Sequence, residues 1–264
     1  MNIFFRELKA NFKSLLIWAV IVILFNTVGF AKFTAYYENP ELIEVLNGMP
    51  PAMLAAFNMN AFNLTTISGF FGVMITFFGL LLSISAVMWG SDIISKEERD
   101  KTVEFSLTLP VRRSSIVTAK TLAALVNSTA LLGITWGITL VSVSIYQPDG
   151  DFYKFLTLGM LALFIVQIVF LAVGIFLGCA MKQHKRASST AVFLLLGTYF
   201  LSIISGMSEN LEFLKYFSPF KYFDPAMLLH ESKIDLTFVW LSVGIIAVSM
   251  IGAYVTYSKR DLYI

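Results

Sequence analysis

The sequence predicts an all-α polytopic membrane protein with six transmembrane helices in a single domain, residues 1–264. Three observations predict it. Hydrophobic residues make up 57% of the chain and charged ones only 14%, where soluble domains carry about 25% charged. The apolar residues gather into six runs, at 14–36, 67–90, 115–146, 155–181, 188–207 and 236–257. Each reaches the roughly 20 residues that a helix needs to cross ~30 Å of hydrocarbon. Finally, the Lys and Arg residues alternate between the two sides that these runs define.

Residues 2–13 precede the first run. Phe5, Leu8 and Phe12, joined by Phe4, form one apolar stripe, with Arg6, Lys9 and Lys13 off it. This fits a short amphipathic helix in the membrane interface, and equally the simple basic flank of a first span. That first run is too long for a cleavable signal peptide, and no small-x-small pattern follows it. The third run is long enough to tilt or to project beyond the bilayer.

Basic residues set the orientation. With the N-terminus in the cytoplasm, fourteen Lys and Arg fall inside and five outside, while acidic residues lean outward, seven to ten. Both termini are therefore expected in the cytoplasm. The outer loops differ. Residues 37–66 contain Pro50-Pro51 and a Met- and Phe-rich patch that suits a short surface helix. Residues 147–154 are a tight turn. Residues 208–235 cluster Tyr216, Phe217, Phe220, Tyr222 and Phe223 around Pro219 and Pro225, as expected of an outer helical loop at the interface.

Several chemistries are missing. No Gly-x-x-x-x-Gly-Lys-Ser/Thr loop occurs, so the chain lacks the usual phosphate cradle for ATP. His184 and His230 fall on opposite sides of the membrane, and the lone Cys179 reads as a packed structural thiol. No metal, cofactor or catalytic residue is expected in this chain. Within the spans, polar content is Asn26, Thr76, Asn127, Thr135, Gln167 and Thr198 with scattered Ser. Ion-coupled carriers mark their paths with intramembrane charge, so this pattern speaks against them. Gly133-x-x-x-Gly137 and Gly174-x-x-x-Gly178 permit close helix approach, either within the protomer or at a dimer face.

The one long charged stretch is 92–120, between the second and third runs. Ser95 and Glu98 have capping-box spacing, which predicts a helix starting at Ser95. Pro110 ends the element and pushes Leu109 toward extended geometry. Val103, Phe105, Leu107 and Leu109 alternate with polar residues, a period that no clean surface helix shows. Apolar residues in a cytoplasmic loop need a covering surface. A solvated basic loop is the alternative.

The run from Glu97 to Arg113, with Ile116 and Lys120 after it, resembles the signature of type 2 permeases of ATP-binding-cassette (ABC) exporters. Thr102, Glu104, Leu107, Pro110, Val111, Arg113, Ile116 and Lys120 match the pattern, while Lys101 stands where the family has Gly. Lys259-Arg260-Asp261-Leu262 is similar to family endings. The resemblance implies a permease without its own ATPase. Two copies would pair with two ATPase subunits, which bind ATP and magnesium. It implies a coupling helix between the second and third spans. Glu97, Glu98, Thr102, Val103, Glu104, Phe105, Leu107, Pro110, Arg112 and Arg113 would then contact the ATPase. It also implies a cavity lined by the second and fifth spans, here through Phe70, Phe77, Phe78, Tyr199 and Ser202. That wall would suit an amphipathic or hydrophobic cargo such as a peptide, drug or lipid. Peptide export and antimicrobial resistance at a bacterial plasma membrane are the expectations that follow, with no nucleic acid involved. A non-transporting scaffold or sensor that recruits a cytoplasmic partner through the same stretch is the alternative.

Overall fold

The computed structural model describes residues 3–37, 39, 41, 48–50, 53–54, 62–99, 112–181, 184–207 and 209–259. Its helices are α1 (Ile3–Tyr36), α2 (Ile67–Arg99), α3 (Arg113–Val143), α4 (Gly150–Ala180), α5 (His184–Ser205), the short α6 (Pro225–Glu231) and α7 (Leu236–Lys259). No strand occurs among the described residues. All but α6 are long and apolar enough to cross a membrane. In hydrocarbon each backbone N–H and C=O must be bonded within the protein, and a helix does this within one segment.

The six spans follow the six runs, but α1 begins well before its run at Ile3, α2 continues past its run to Arg99, and α3, α4 and α5 end slightly short of theirs. The helix expected at the N-terminus is present and runs into the first span without a break. Its stripe divides: Phe4 and Leu8 pack against the cluster that holds Ile93 and Ile94 of α2, while Phe5 and Phe12 face outward. Phe5 and Phe12 are 64% and 55% exposed, whereas Glu7 and Asn11 are buried against the bundle. Within the stripe, lipid takes the place of a core for Phe5 and Phe12 alone, which turn away from the protein. The surface helix expected within 37–66 falls mostly outside the described residues.

Caps and turns close one end of the bundle. After α3 the chain tightens into a 3-10 turn, Ser144–Tyr146. Gln147 then takes a left-handed conformation with φ 44°, and Asp149 caps α4 by accepting from the Phe152 N–H at 2.9 Å. Asp224 caps α6, and Asp235 accepts from the Thr237 N–H at the start of α7. Each carboxylate satisfies a backbone donor that has no intrahelical partner.

The centre is the pair α2–α4. In the most apolar window of each span, 72% of α2 and 61% of α4 is buried, against 17% to 22% for α1, α5 and α7. The two helices run parallel and keep one register along their length: Ile75 lies on Gly159, Gly79 on Leu163, Gly90 on Gly174. A Cβ at Gly90 would sit 2.5 Å from the Leu171 carbonyl oxygen, and one at Gly174 would sit 2.5 Å from that of Val87. One at Gly178 would meet the Ser91 carbonyl at 2.7 Å. So Gly174-x-x-x-Gly178 packs inside the protomer. Gly133 and Gly137 have open space around them.

Around this pair α1 lies against α3 through a polar seam. Asn26, fully buried, donates to Thr139 Oγ1 at 2.9 Å and accepts from Ser142 Oγ at 2.7 Å. Phe33 stacks on Phe70 of α2 at 4.7 Å. Gly174→Val forces backbone apart from backbone, so it should cost about 1–3 kcal/mol or more. Gly133→Ala should stay within about 0.5 kcal/mol. Thermal unfolding of the two purified variants in detergent checks the contrast.

Candidate functional site

Two regions carry candidate function, one at each end of the bundle. The first brackets the charged stretch. Here α2 ends, α3 begins, and the start of α1 and the end of α7 lie alongside. Glu97 and Glu98 belong to the last turn of α2, with side chains outside the described set. Thr102, Val103, Glu104, Phe105, Leu107 and Pro110 also lie outside the described residues. Arg112 is exposed at the N-cap of α3 and makes no side-chain cap bond. Arg113 reaches the end of α7, where its Nη1 donates to the Ser258 carbonyl at 3.3 Å and to that of Tyr257 at 3.5 Å. A guanidinium suits the negative end of a helix and its unpaired carbonyls.

Ser95 corrects an expectation. No helix starts there, because α2 continues to Arg99. The buried Ser95 hydroxyl donates to the Ser91 carbonyl at 2.7 Å. A serine inside a helix bonds back to i−4 when the helix already satisfies its own N–H groups. The spacing to Glu98 was a coincidence of composition.

The bracket is fastened from several sides. Trp89 Nε1 donates to Ser14 Oγ of α1 at 2.8 Å. Ser91 Oγ donates to Ser188 Oγ of α5 at 3.1 Å. Lys120 of α3 is 1% exposed; its ammonium donates to the Ile93 carbonyl of α2 at 2.6 Å and lies 3.3 Å from Glu7 Oε1 of α1. Glu7 is itself 4% exposed, and the Arg6 guanidinium also contacts it at 3.4 Å. Sequence reasoning passed over Glu7. A signal was available, because Lys120 stands two turns inside an apolar helix among Ile116, Val117, Ala123 and Ala124. With no acidic neighbour at helical spacing, its counter-charge had to come from another helix.

At the opposite end a cavity of about 60 Å3 opens between α2, α4, α5 and the aromatic loop. Thr76 and Gly79 come from α2, Leu163 and Val166 from α4, Tyr199 and Ser202 from α5. Phe220, Lys221 and Asp224 close it from the loop. Lys221 Nζ is 2.7 Å from Asp224 Oδ2, and both side chains are about a quarter exposed. The loop is held down by buried Ser218, which donates to the Thr198 carbonyl at 2.7 Å. Tyr222 stacks on Phe238 at 5.1 Å and donates to the Tyr216 carbonyl. Burial pushes the Tyr222 phenol pKa up.

Of the expected pathway residues, Tyr199 and Ser202 come together in this cavity. Phe70, Phe77 and Phe78 do not join them. Phe70 packs on Phe33 and Phe30, and Phe77 and Phe78 pack on Phe25. Among the described residues, no group of His, Cys, Asp and Glu is placed to hold a metal ion. Cys179 is buried and His230 exposed at the far end of the bundle.

The family model for ABC-2 family transporter proteins matches residues 1–262. The chain belongs to the ABC-2 transporter family. It is a permease component of an ABC transporter, and the family implies association with an ABC ATPase. No curated protein matches the chain. Within this permease, Arg113→Ala removes the contacts that hold the end of α7. The expected cost is about 0.3–1 kcal/mol, read as faster hydrogen exchange at the Tyr257 and Ser258 amides.

Proposed function

We propose that this chain is the membrane half of an ATP-driven exporter for an amphipathic or hydrophobic molecule, such as a peptide, drug or lipid. Two copies pair in the plasma membrane of a bacterium, with both termini in the cytoplasm. Each copy docks an ATPase subunit that binds ATP and magnesium. Residues 97–113 form the docking segment, with Phe105 and Leu107 as apolar anchors and Glu98, Glu104 and Arg112 as orienting charges, while Arg113 ties the end of the segment to α7. ATP binding draws the ATPase subunits together and moves these segments. The permease then alternates between inward and outward access, and the energy enters from outside the chain, which has no phosphate-cradling loop of its own.

The observation that carries the reading of the cargo is the cavity. Its walls at Leu163, Val166 and Phe220 are apolar, while Tyr199, Ser202 and the Lys221–Asp224 pair give it a polar mouth. A pocket with apolar walls and a few placed polar groups selects a ligand with an apolar body and a polar end. About 60 Å3 holds roughly four waters in this state, so a larger cargo requires α5 or the loop to part from α2 and α4.

The permease should copurify with its ABC ATPase and, in proteoliposomes, raise ATP hydrolysis when offered members of an amphipathic panel. Tyr199→Ala combined with Ser202→Leu should shift the half-stimulating concentration of the best compound about fivefold or more, roughly 1 kcal/mol. Val248→Ala, on an exposed face of α7, should leave it unchanged. No stimulation and no ATP-dependent flux across peptides, drugs and lipids would sink the exporter reading.

A further inference from the structure

Lys120 is the point at which three helices meet through polar atoms. It belongs to α3, it bonds the Ile93 carbonyl of α2, and it pairs with Glu7 of α1. Those two contacts lie at the ends of α2 and α3 that flank residues 100–111. We propose that Glu7 and Lys120 form a positioning latch, which fixes the start of α1 to that bracket so that movement of the docking segment is passed to α1. This inference rests on the reading of residues 97–113 as the docking segment.

The energetics point away from a mere staple. Both partners are almost wholly removed from solvent, and burying two charges has a desolvation cost that their attraction barely repays. An apolar pair of similar size would hold the helices at least as well. What an apolar pair lacks is direction. The ammonium makes its bond to Ile93 and its pairing with Glu7 from one atom, so α2 cannot shift at this level without drawing on α1. α1 also needs such a tie. Its most apolar window is only 22% buried, and in its first two turns Phe4 and Leu8 pack against the cluster that holds Ile93 and Ile94 of α2, an apolar contact that holds α1 close without fixing a direction. The Trp89–Ser14 bond lies two turns further along α1 and acts as a second, softer hinge point.

The latch is tested with the permease in complex with its ABC ATPase in nanodiscs. Spin labels on Lys9→Cys and Ser258→Cys, both exposed positions, are read by pulsed EPR in a Cys179→Ala background. In the otherwise native complex, ATP with vanadate should change the α1–α7 distance by about 2 Å, the scale of helix shifts in switching proteins. In Glu7→Leu/Lys120→Met, which replaces the buried pair with apolar side chains, the change should vanish while copurification with the ATPase persists. Glu7→Lys/Lys120→Glu restores the pair but not the donor to Ile93, and should recover only part of the shift. If the double apolar variant does not fold, Glu7→Gln takes its place, with at least a halving of the shift expected.

An undiminished shift in a folded latch variant overturns the proposal, as does the lack of any ATP-dependent shift in the native latch. So does loss of the ATPase from the double apolar variant alone, since the pair would then serve docking. Failure of the native chain to bind the ATPase through residues 97–113 instead removes the docking reading beneath it, a result that Phe105→Ala/Glu104→Lys copurification detects separately.

Discussion

At Gly90, Gly174 and Gly178 the backbones of α2 and α4 touch, with carbonyl oxygens where a side chain would begin. The rest of the molecule is arranged around that contact. In lipid, apolar side chains gain nothing by leaving one hydrocarbon for another, so helices associate through close packing and internal polar bonds. Glycine allows the first at α2–α4. Asn26, Thr139 and Ser142 supply the second at α1–α3. Each such polar bond contributes only about 0.6 kcal/mol on average, which is why the glycine contact, extending from Ile75–Gly159 to Ser91–Gly178, sets the frame.

The frame explains why the charged groups lie where they do. Among the described residues, buried charge lies at the end of the bundle near the α2–α3 bracket, where Glu7 and Lys120 pair. The middle of the spans holds amides and hydroxyls. Several of these, including both amide atoms of Gln167 and the Ser83 hydroxyl, have no hydrogen-bond partner among the described residues. By the α2–α4 register, Ser83 and Gln167 stand at the same level, so the central pair carries a polar layer at mid-depth between two apolar ones.

Much of this was legible in the sequence. The six spans follow from run length alone, because 20 apolar residues have few other uses. The aromatic loop and the Pro-marked α6 were visible as a composition shift. Three things were not. Ser95 looked like a cap because spacing says nothing about whether the preceding helix has ended. Glu7 was hidden because the amphipathic test follows apolar positions, and Glu7 is a charged residue on the face that packs inward beside Phe4 and Leu8. The residues expected to line one cavity divided because Phe70 and Phe78 are as apolar as a cavity wall but sit on the side of α2 that meets α1. A span's sequence states what its faces are made of; only its neighbours decide which face meets the cavity.

That last point bears on how the cavity could change shape. Thr76 and Gly79 on α2 and Leu163 and Val166 on α4 belong to the tightly packed pair and travel together. Tyr199 and Ser202 belong to α5, of which only 17% of the span window is buried. α5 is held at one end by Ser188 on Ser91 and at the other by the Thr198 carbonyl beneath Ser218. A push applied at the end of α2 therefore moves two cavity walls as a body, while the third follows through the buried Ala191 and Leu195 and the two hydroxyl contacts. The mouth at Lys221–Asp224 is carried by the loop that Ser218 ties to α5. On the proposed reading, opening is the parting of α5 and its loop from the α2–α4 pair, with the Ser91–Ser188 bond as the pivot nearest the ATPase.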